Sequence, residues 1–367
     1  MLGELEDAVD RFRVAEVGDG LCARLQTGLL VSTQIDCGSQ QGGQDAIEGW
    51  IRLDSEPHPV FGRHGPPEAL IISHYHADHY NGVLLGAAAR ARGVSLRSSI
   101  TNVYGPGLPE LPPAAPDRAM LLRALLALSV YVAGSRSGHM EVDLIRAVRQ
   151  LNDGGAVRYH RLFAGDRVRI HDLELRVIWP PRQLQDEEVA ATMRAAIIAF
   201  EEARERNPRL RALDEAVQES PLFGAILSPE ADETEMDAVS GEPASSLHDW
   251  PRGEIPEEIV AAHRLVRSAA NNLCLGFHVD TQLLFLGDIA GRQLKHVVSR
   301  LRAAHALNFD VCLAAHHGTL WHREMERVRA DHLFVSNGPK LYPKFRREWT
   351  MVSRQIRMTR LHGDLGA

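Results

Sequence analysis

His74-Tyr75-His76-Ala77-Asp78-His79 places four metal-competent side chains within six residues, directly after the apolar run 69–73 (ALIIS). On an extended segment, residues i and i+2 project to the same side, so His74 and His76 can grip one cation together. Asp78 and His79, in the turn that follows, point elsewhere and can grip a second. Without a cation, three imidazoles and a carboxylate crowded together would be costly to bury. Two cations about 3.5–4 Å apart can activate a water as hydroxide at neutral pH. They can also clamp the attacking and leaving oxygens of a phosphodiester.

Such a site needs ligands from further along the chain. Leu283-Leu284-Phe285-Leu286-Gly287-Asp288 is an apolar run ending in an acid, placed as a bridging carboxylate would be. Val311-Cys312-Leu313-Ala314-Ala315-His316-His317-Gly318 is another run ending in metal-competent groups. Taken singly, an acid after a strand is ordinarily a cap, and a histidine pair is ordinarily structural. Taken with the hexapeptide they form a recurring theme, strand ends delivering ligands to one edge.

With the earlier Ile35-Asp36-Cys37-Gly38, these motifs resemble the metallo-β-lactamase fold superfamily over about residues 17–342, the inserted segments excepted. The resemblance implies an α/β αββα sandwich with helical insertions and a dinuclear site at one edge of the paired sheets. Three further pieces resemble the nuclease domain of ComEC-like competence proteins and its stand-alone relatives. They are Val17-Gly18-Asp19-Gly20, Asn271-Asn272-Leu273-Cys274-Leu275, and Val335-Ser336-Asn337-Gly338 with Tyr342-Pro343. Carried over residue by residue, the resemblance implies His74 and His76 on the first metal and Asp78 and His79 on the second. Asp288 bridges, and His316 or His317 completes the second site. Asp36 orients the hexapeptide loop from behind, and Asn271 and Asn272 stand near the site. With His316 as the ligand, the spare His317 is the general acid, and Asp78 and Asp288 are proton carriers. The departure is the third ligand of the first metal. His139, His160, His171, His248 and His263 are all available, and none ends a strand motif. The expected cofactors are two divalent ions, Zn²⁺ with Mn²⁺ as the alternative for an oxygen-richer site.

The elements that must carry these groups are legible in outline. Strands are expected over about 13–17, 21–26 and 29–35, the last ended by the turn residues Asp36 to Ser39. Helix is expected from about 117 to 151, interrupted near 134–138, and strands over 157–159, 167–170 and 173–178. After the acidic segment, strand patterning resumes at 273–279 and 282–286. Helix 289–306, strand 309–314, helix 320–330 and strand 332–335 follow. The whole reads as a single domain, 1–367, with a helical insertion at about 107–155 and an acidic one at about 182–262. The latter is helical at first, then loop.

The chain is 44% hydrophobic and 24% charged, which excludes disordered, fibrous and small disulfide-framework classes. Its net charge of −7 is unevenly placed. Residues 186–258 hold 19 acidic against 6 basic residues, so the remainder carries about +6. The basic remainder suits a nucleic acid or another phosphodiester. Backbone amides near Ser336, Asn337 and Gly338, with Lys340 behind them, are candidates for holding a phosphate oxygen. Lys344, Arg346 and Arg347 are candidates for tracking a nucleic-acid backbone. The acidic segment is a candidate surface for a protein partner, or a lid whose removal would raise activity. No membrane partner is expected. The apolar stretch 119–134 contains Arg123, falls short of a bilayer span and reads as a buried helix. The acidic start and four dispersed cysteines, read as buried thiols, suit a cytoplasmic location.

The expected function is therefore a metal-dependent hydrolase, foremost a phosphodiesterase or nuclease. The same chemistry on a small ester, lactone or thioester is the alternative, and a non-catalytic scaffold binding a protein partner is the third. β-Lactam hydrolysis fits less well, given the insertions.

Overall fold

The computed structural model describes residues 12–27, 31–55, 65–111, 117–137, 141–227, 233–236 and 253–366. Its strands are β1 (Phe12–Val14), β2 (Gly20–Gln26), β3 (Ser32–Ser39), β4 (Pro67–Ile71), β5 (Asn102–Pro106), β6 (Val157–Leu162), β7 (Arg167–Ile170), β8 (Leu173–Trp179), β9 (Glu233–Met236), β10 (Gly276–Val279), β11 (Leu283–Phe285), β12 (Asn308–Leu313), β13 (Arg329–Val335) and β14 (Gln355–Met358). They form two seven-stranded sheets, ordered β1-β2-β3-β4-β5-β6-β9 and β14-β13-β12-β11-β10-β8-β7.

The residues from Ala69 to Ile72 show why the layers stack as they do. Successive side chains on a strand alternate faces. Ala69 and Ile71 join an apolar cluster with Phe12, Ile35, Phe277, Phe285 and Phe334 from both sheets. Leu70 and Ile72 join a second cluster with the helices. A sheet covered on both faces reads as a continuous apolar run. The architecture is an αββα sandwich.

The helices are α1 (Gly43–Ser55), α2 (Ala77–Ala91), α3 (Arg118–Ser137), α4 (Leu144–Leu151), α5 (Glu187–Arg206), α6 (Pro208–Gln218), α7 (Pro221–Leu227), α8 (Glu257–Asn271), α9 (Leu294–Ala303) and the single turn α10 (Thr359–His362). α3 and α4 leave and return between β5 and β6, which pair directly in parallel. The long excursion through α5 to α8 likewise runs between β8 and β10, which are antiparallel neighbours. α3 is long and apolar enough to cross a bilayer by length and composition, and 78% of that window is buried inside the molecule.

Four expectations are corrected. β3 does not stop before Asp36 but runs on to Ser39. Asp36 is the extra residue of a bulge, with φ 49°, because Cys22 pairs with Cys37 while Ala23 pairs with Ile35. The helix expected over 320–330 is a short 3₁₀ segment, Arg323–Arg327, since parallel pairing with β12 draws Arg329 onward into β13. Within the acidic segment, Glu233–Met236 is a strand that extends the first sheet beside β6. The rest of that expected loop, 228–232 and 237–252, lies outside the described residues. Nor is 186–258 a detachable lid. Val189, Met193 and Phe200 of α5 and Leu210 of α6 are fully buried in the helix-side core, so deleting the segment would remove core and not only a cover.

Candidate metal centre

β11, β12 and β13 run parallel, so their C-terminal ends meet at one edge of the second sheet. β4, parallel to β3, ends at the facing edge of the first. The Leu275 N–H donates to Ser73 O at 2.6 Å and ties the two edges together. The convergent donors described below emerge from these ends and from the first turn of α2.

The hexapeptide is not extended. β4 stops at Ile71, a bend follows, and α2 begins at Ala77, which puts Asp78 and His79 in its first turn. His74 and His76 consequently diverge from the shared grip expected of an extended pair. The His74 ring centroid lies 4.1 Å from that of His79 and 5.0 Å from that of His76. Two groups of donors converge with all ligand atoms within 4.8 Å: His74, His79 and Asp288, and Asp78, His79 and His317. His76 belongs to neither, although its Nδ1 is 3.6 Å from Asp78 Oδ1. Gly38 makes the approach possible, because a Cβ there would stand 2.3 Å from Asp78 C and 2.4 Å from His79 N.

Each convergent ring is held from behind by its other nitrogen. His79 Nδ1 donates to Asp36 Oδ2 at 2.7 Å, and Asp36 also accepts from the Ser73 N–H and hydroxyl. His317 Nδ1 donates to Ser336 O at 2.7 Å. His74 Nδ1 is 3.1 Å from Ser73 Oγ. The opposite atoms, Nε2 of His74, His79 and His317 and Oδ2 of Asp288, are buried and have no hydrogen-bond partner among the described residues. Both ring nitrogens of His76 are in the same condition. Leaving a buried polar group unpaired costs about 1–3 kcal/mol. Orphaned buried ring nitrogens and carboxylate oxygen gathered into two small groups are what divalent cations would satisfy, and imidazole with carboxylate is a suitable donor set.

The electrostatics agree. Burial opposes the charge on His79, but Asp288 and Asp36 on either side outweigh it and hold this imidazole well above its ordinary value. Burial, reinforced by the charge of His79, pushes His74 well below. Burial also opposes ionisation of Asp288 and Asp78. His317, His316 and His79 overcome it at Asp288, and Arg267, His76 and His79 overcome it at Asp78, leaving both carboxyls well below the usual range.

The geometry reverses the expected division between His316 and His317. His317 is buried and converges with Asp78 and His79, whereas the His316 side chain is 18% exposed and stands outside both groups. His316 Nδ1 is committed to Thr319 Oγ1 at 2.5 Å, and its Nε2 lies 3.8 Å from Asp288 Oδ2. Both residues have positive φ, 48° and 57°, strain of a kind that tends to gather at functional sites.

The expected phosphate-holding amides are already taken. Asp19, fully buried, accepts from the Gly338 and Leu341 N–H groups at Oδ1 and from the Lys340 N–H and Gln41 Nε2 at Oδ2. Lys340 thus enters through its backbone. Ser336 acts through its carbonyl on His317, while its hydroxyl donates to Gly20 O. Asn337 is anchored by Thr359 through its backbone, and its buried side-chain amide finds no partner among the described residues. Asn272 is structural, donating to Ser268 O and accepting from Gln293 and, at its carbonyl, from Trp179. Asn271 accepts from the Ala290 N–H at its carbonyl, and its buried Oδ1 is unpaired. Arg346 pairs with Glu348 on the surface, and Lys344 and Arg347 are exposed.

Of the candidate third ligands, His263 on α8 comes closest, its ring centroid 5.5 Å from that of His76. His160 stacks on Tyr104 and bonds Asn102, and His171 pairs with Glu68. His139 and His248 lie outside the described residues. Sequence reasoning missed Gln40, whose Nε2 donates to Asp78 Oδ2 at 2.8 Å, and Arg267, 3.8 Å from the same oxygen. A signal for the second existed: His263, Arg264 and Arg267 share one helical face beside an acidic stretch.

No model of a protein family matches the chain, nor does any curated protein sequence. Among solved structures, Zn²⁺-bound PqqB from Methylobacterium extorquens is similar at 10% sequence identity and a TM-score of 0.39, covering 95% of this chain and 87% of that one.

Proposed function

We propose that the protein is a metal-dependent hydrolase acting on phosphoesters, with two divalent cations, Zn²⁺ or alternatively Mn²⁺, held among His74, Asp78, His79, Asp288 and His317, the one inward nitrogen of His79 serving a single cation. The observation that carries this reading is the set of buried donors converging from three chain segments, several of them orphaned. Such ions, when bound, supply Lewis acidity and lower the pKa of water.

The chain's own part is positioning and proton handling. Asp36 and the Ser336 carbonyl fix His79 and His317 with Nε2 inward. His316 is the proton carrier. Its Nδ1–H is spent on Thr319, so the lone pair at Nε2 faces the Asp288 side of the site from the exposed rim. Burial holds this imidazole below its ordinary value, leaving it neutral and able to accept a proton from water, then return it to the departing oxygen.

The polymer-directed form of this reading makes nucleic acid the partner. A small phosphoester is the second reading, favoured by the modest size of the cavity beside Asp78, about 210 Å³. A protein partner at the acidic segment and a cytoplasmic setting remain part of the proposal. The test is metal analysis with cleavage of labelled DNA, RNA and an activated phosphodiester, wild type beside Asp288→Ala. Metal-dependent turnover lost in the variant supports the reading. A fully metal-loaded protein inert on all of them overturns it.

A further inference from the structure

The two inserted helical segments turn basic side chains toward one wall of the metal centre. On α8, Val260, His263, Arg264 and Arg267 fall at i, i+3, i+4 and i+7, a single helical face. On α3, Ala133 and Arg136 face the same space, and the two helices pack together. With Gln40 and Asp78 these groups enclose the cavity of about 210 Å³. At about 30 Å³ per water it has room for roughly seven waters. That is less than the roughly 300 Å³ at which pockets for drug-sized ligands begin. It suits one compact group, and a nucleic-acid strand would not thread it.

Three arginines and one carboxylate line this space, an excess of two positive charges. Asp78 offsets only one of the three, since Arg267 lies 3.8 Å from its Oδ2, an oxygen that also accepts from Gln40 at 2.8 Å. Arg136 donates to the Gln40 carbonyl at 2.7 Å, which fixes its guanidinium at the rim. His263 Nε2 is buried and lacks a partner among the described residues. Burial, reinforced by Arg267, pulls its imidazole down to about 3, so it is neutral and adds no charge of its own. Like charges held close in a half-buried cavity repel unless an anion sits between them, and guanidinium forks match phosphate oxygens.

We infer that this cavity is an anion subsite for a terminal phosphate group on the substrate, gripped by Arg136, Arg264 and Arg267, so that hydrolysis falls on the ester next to a phosphorylated end. This rests on the phosphoester reading above. Because Asp78 both borders the cavity and converges with His79 and His317, the bound phosphate would lie within one side chain of the reacting centre.

The test is calorimetric titration of the full chain with inorganic phosphate, as purified and after chelation of metal. Saturable binding that survives chelation and weakens at least tenfold in Arg267→Gln and in Arg136→Gln supports the subsite. Arg136 is exposed, so its variant keeps the test valid if Arg267→Gln fails to fold. Binding unchanged in both variants, or abolished by chelation, overturns it. On metal-loaded protein, Arg136→Gln should raise KM about tenfold more for a substrate with a terminal phosphate than for the same substrate lacking it, and an equal change for both would overturn the subsite. Arginine-dependent phosphate binding without turnover of any phosphoester would overturn the hydrolase reading alone. Turnover with arginine-independent binding would overturn the subsite alone.

Discussion

His79 donates its Nδ1 proton to Asp36 Oδ2 at 2.7 Å, and neither side chain is exposed to solvent. This bond decides which nitrogen of His79 faces Asp288. It depends on a backbone oddity, the bulge that gives Asp36 a positive φ and turns its carboxylate under the hexapeptide. Asp36→Ala should therefore leave every ligand in place yet lower metal affinity about 10–100-fold. Competition with a chromophoric chelator measures it. Wild-type affinity in the variant would mean that packing alone orients the ring.

His316 and His317 are sequence neighbours with separable roles. His317→Ala removes a buried donor and should cost metal at the Asp78 side, seen as reduced stoichiometry by elemental analysis. His316→Ala should keep full metal content and instead lower kcat by about 10²–10⁴-fold, the range for a lost proton carrier. Equal metal loss in both would show that His316 ligates as well.

Metal binding should also be proton-linked, with a definite sign. In the metal-free protein Asp288 and Asp36 hold the His79 imidazole well above its ordinary 6.5 against the effect of burial. A cation needs the Nε2 lone pair and must expel that proton. Apparent affinity should accordingly rise with pH above 6.5 and level off once His79 deprotonates on its own. Calorimetry in buffers of differing ionisation enthalpy would count the proton released. Affinity independent of pH across that range would contradict the charge assignment.

What could be read from the sequence follows from how local each signal is. His74, Asp78 and His79 sit in one hexapeptide, and Asp288 and His317 each end an apolar strand, so composition and adjacency expose them. The αββα layers were legible because runs such as 69–72 are apolar on both faces. His263 was in view only as one of five available histidines, and Arg267 and Arg136 were not singled out, since they reach the centre from helices about 190 and 60 residues away in sequence, and no strand-end pattern marks them. The failed helix over 320–330 has apolar spacing suited to a helix, but β12 and β14 both offer parallel ladders to β13 and the long-range pairing wins. The apparent phosphate loop at Ser336, Asn337 and Gly338 misled for a related reason. Its amides do bind an anion, but one supplied by the chain itself, more than 300 residues earlier.

That internal anion, Asp19, makes the strongest prediction for stability. It is fully buried, and its carboxylate accepts four hydrogen bonds that pin the loop carrying Ser336, whose carbonyl in turn aligns His317. The space is tight, because a Cβ on Gly338 would stand 2.4 Å from Gly18 C. Asp19→Ala leaves three backbone N–H groups and one amide unpaired, and hydrogen bonds to a charged group contribute about 1.5–3 kcal/mol each. Partial rehydration of the loop offsets part of that, so a net loss of about 3 kcal/mol is expected by denaturant titration. Asp19→Asn preserves the shape and one acceptor, so it should lose less stability. If metal occupancy falls in both variants in proportion to the loss of stability, the Asp19 knot holds the centre together from outside it. Loss of stability with His317 still fully ligating would confine Asp19 to the fold.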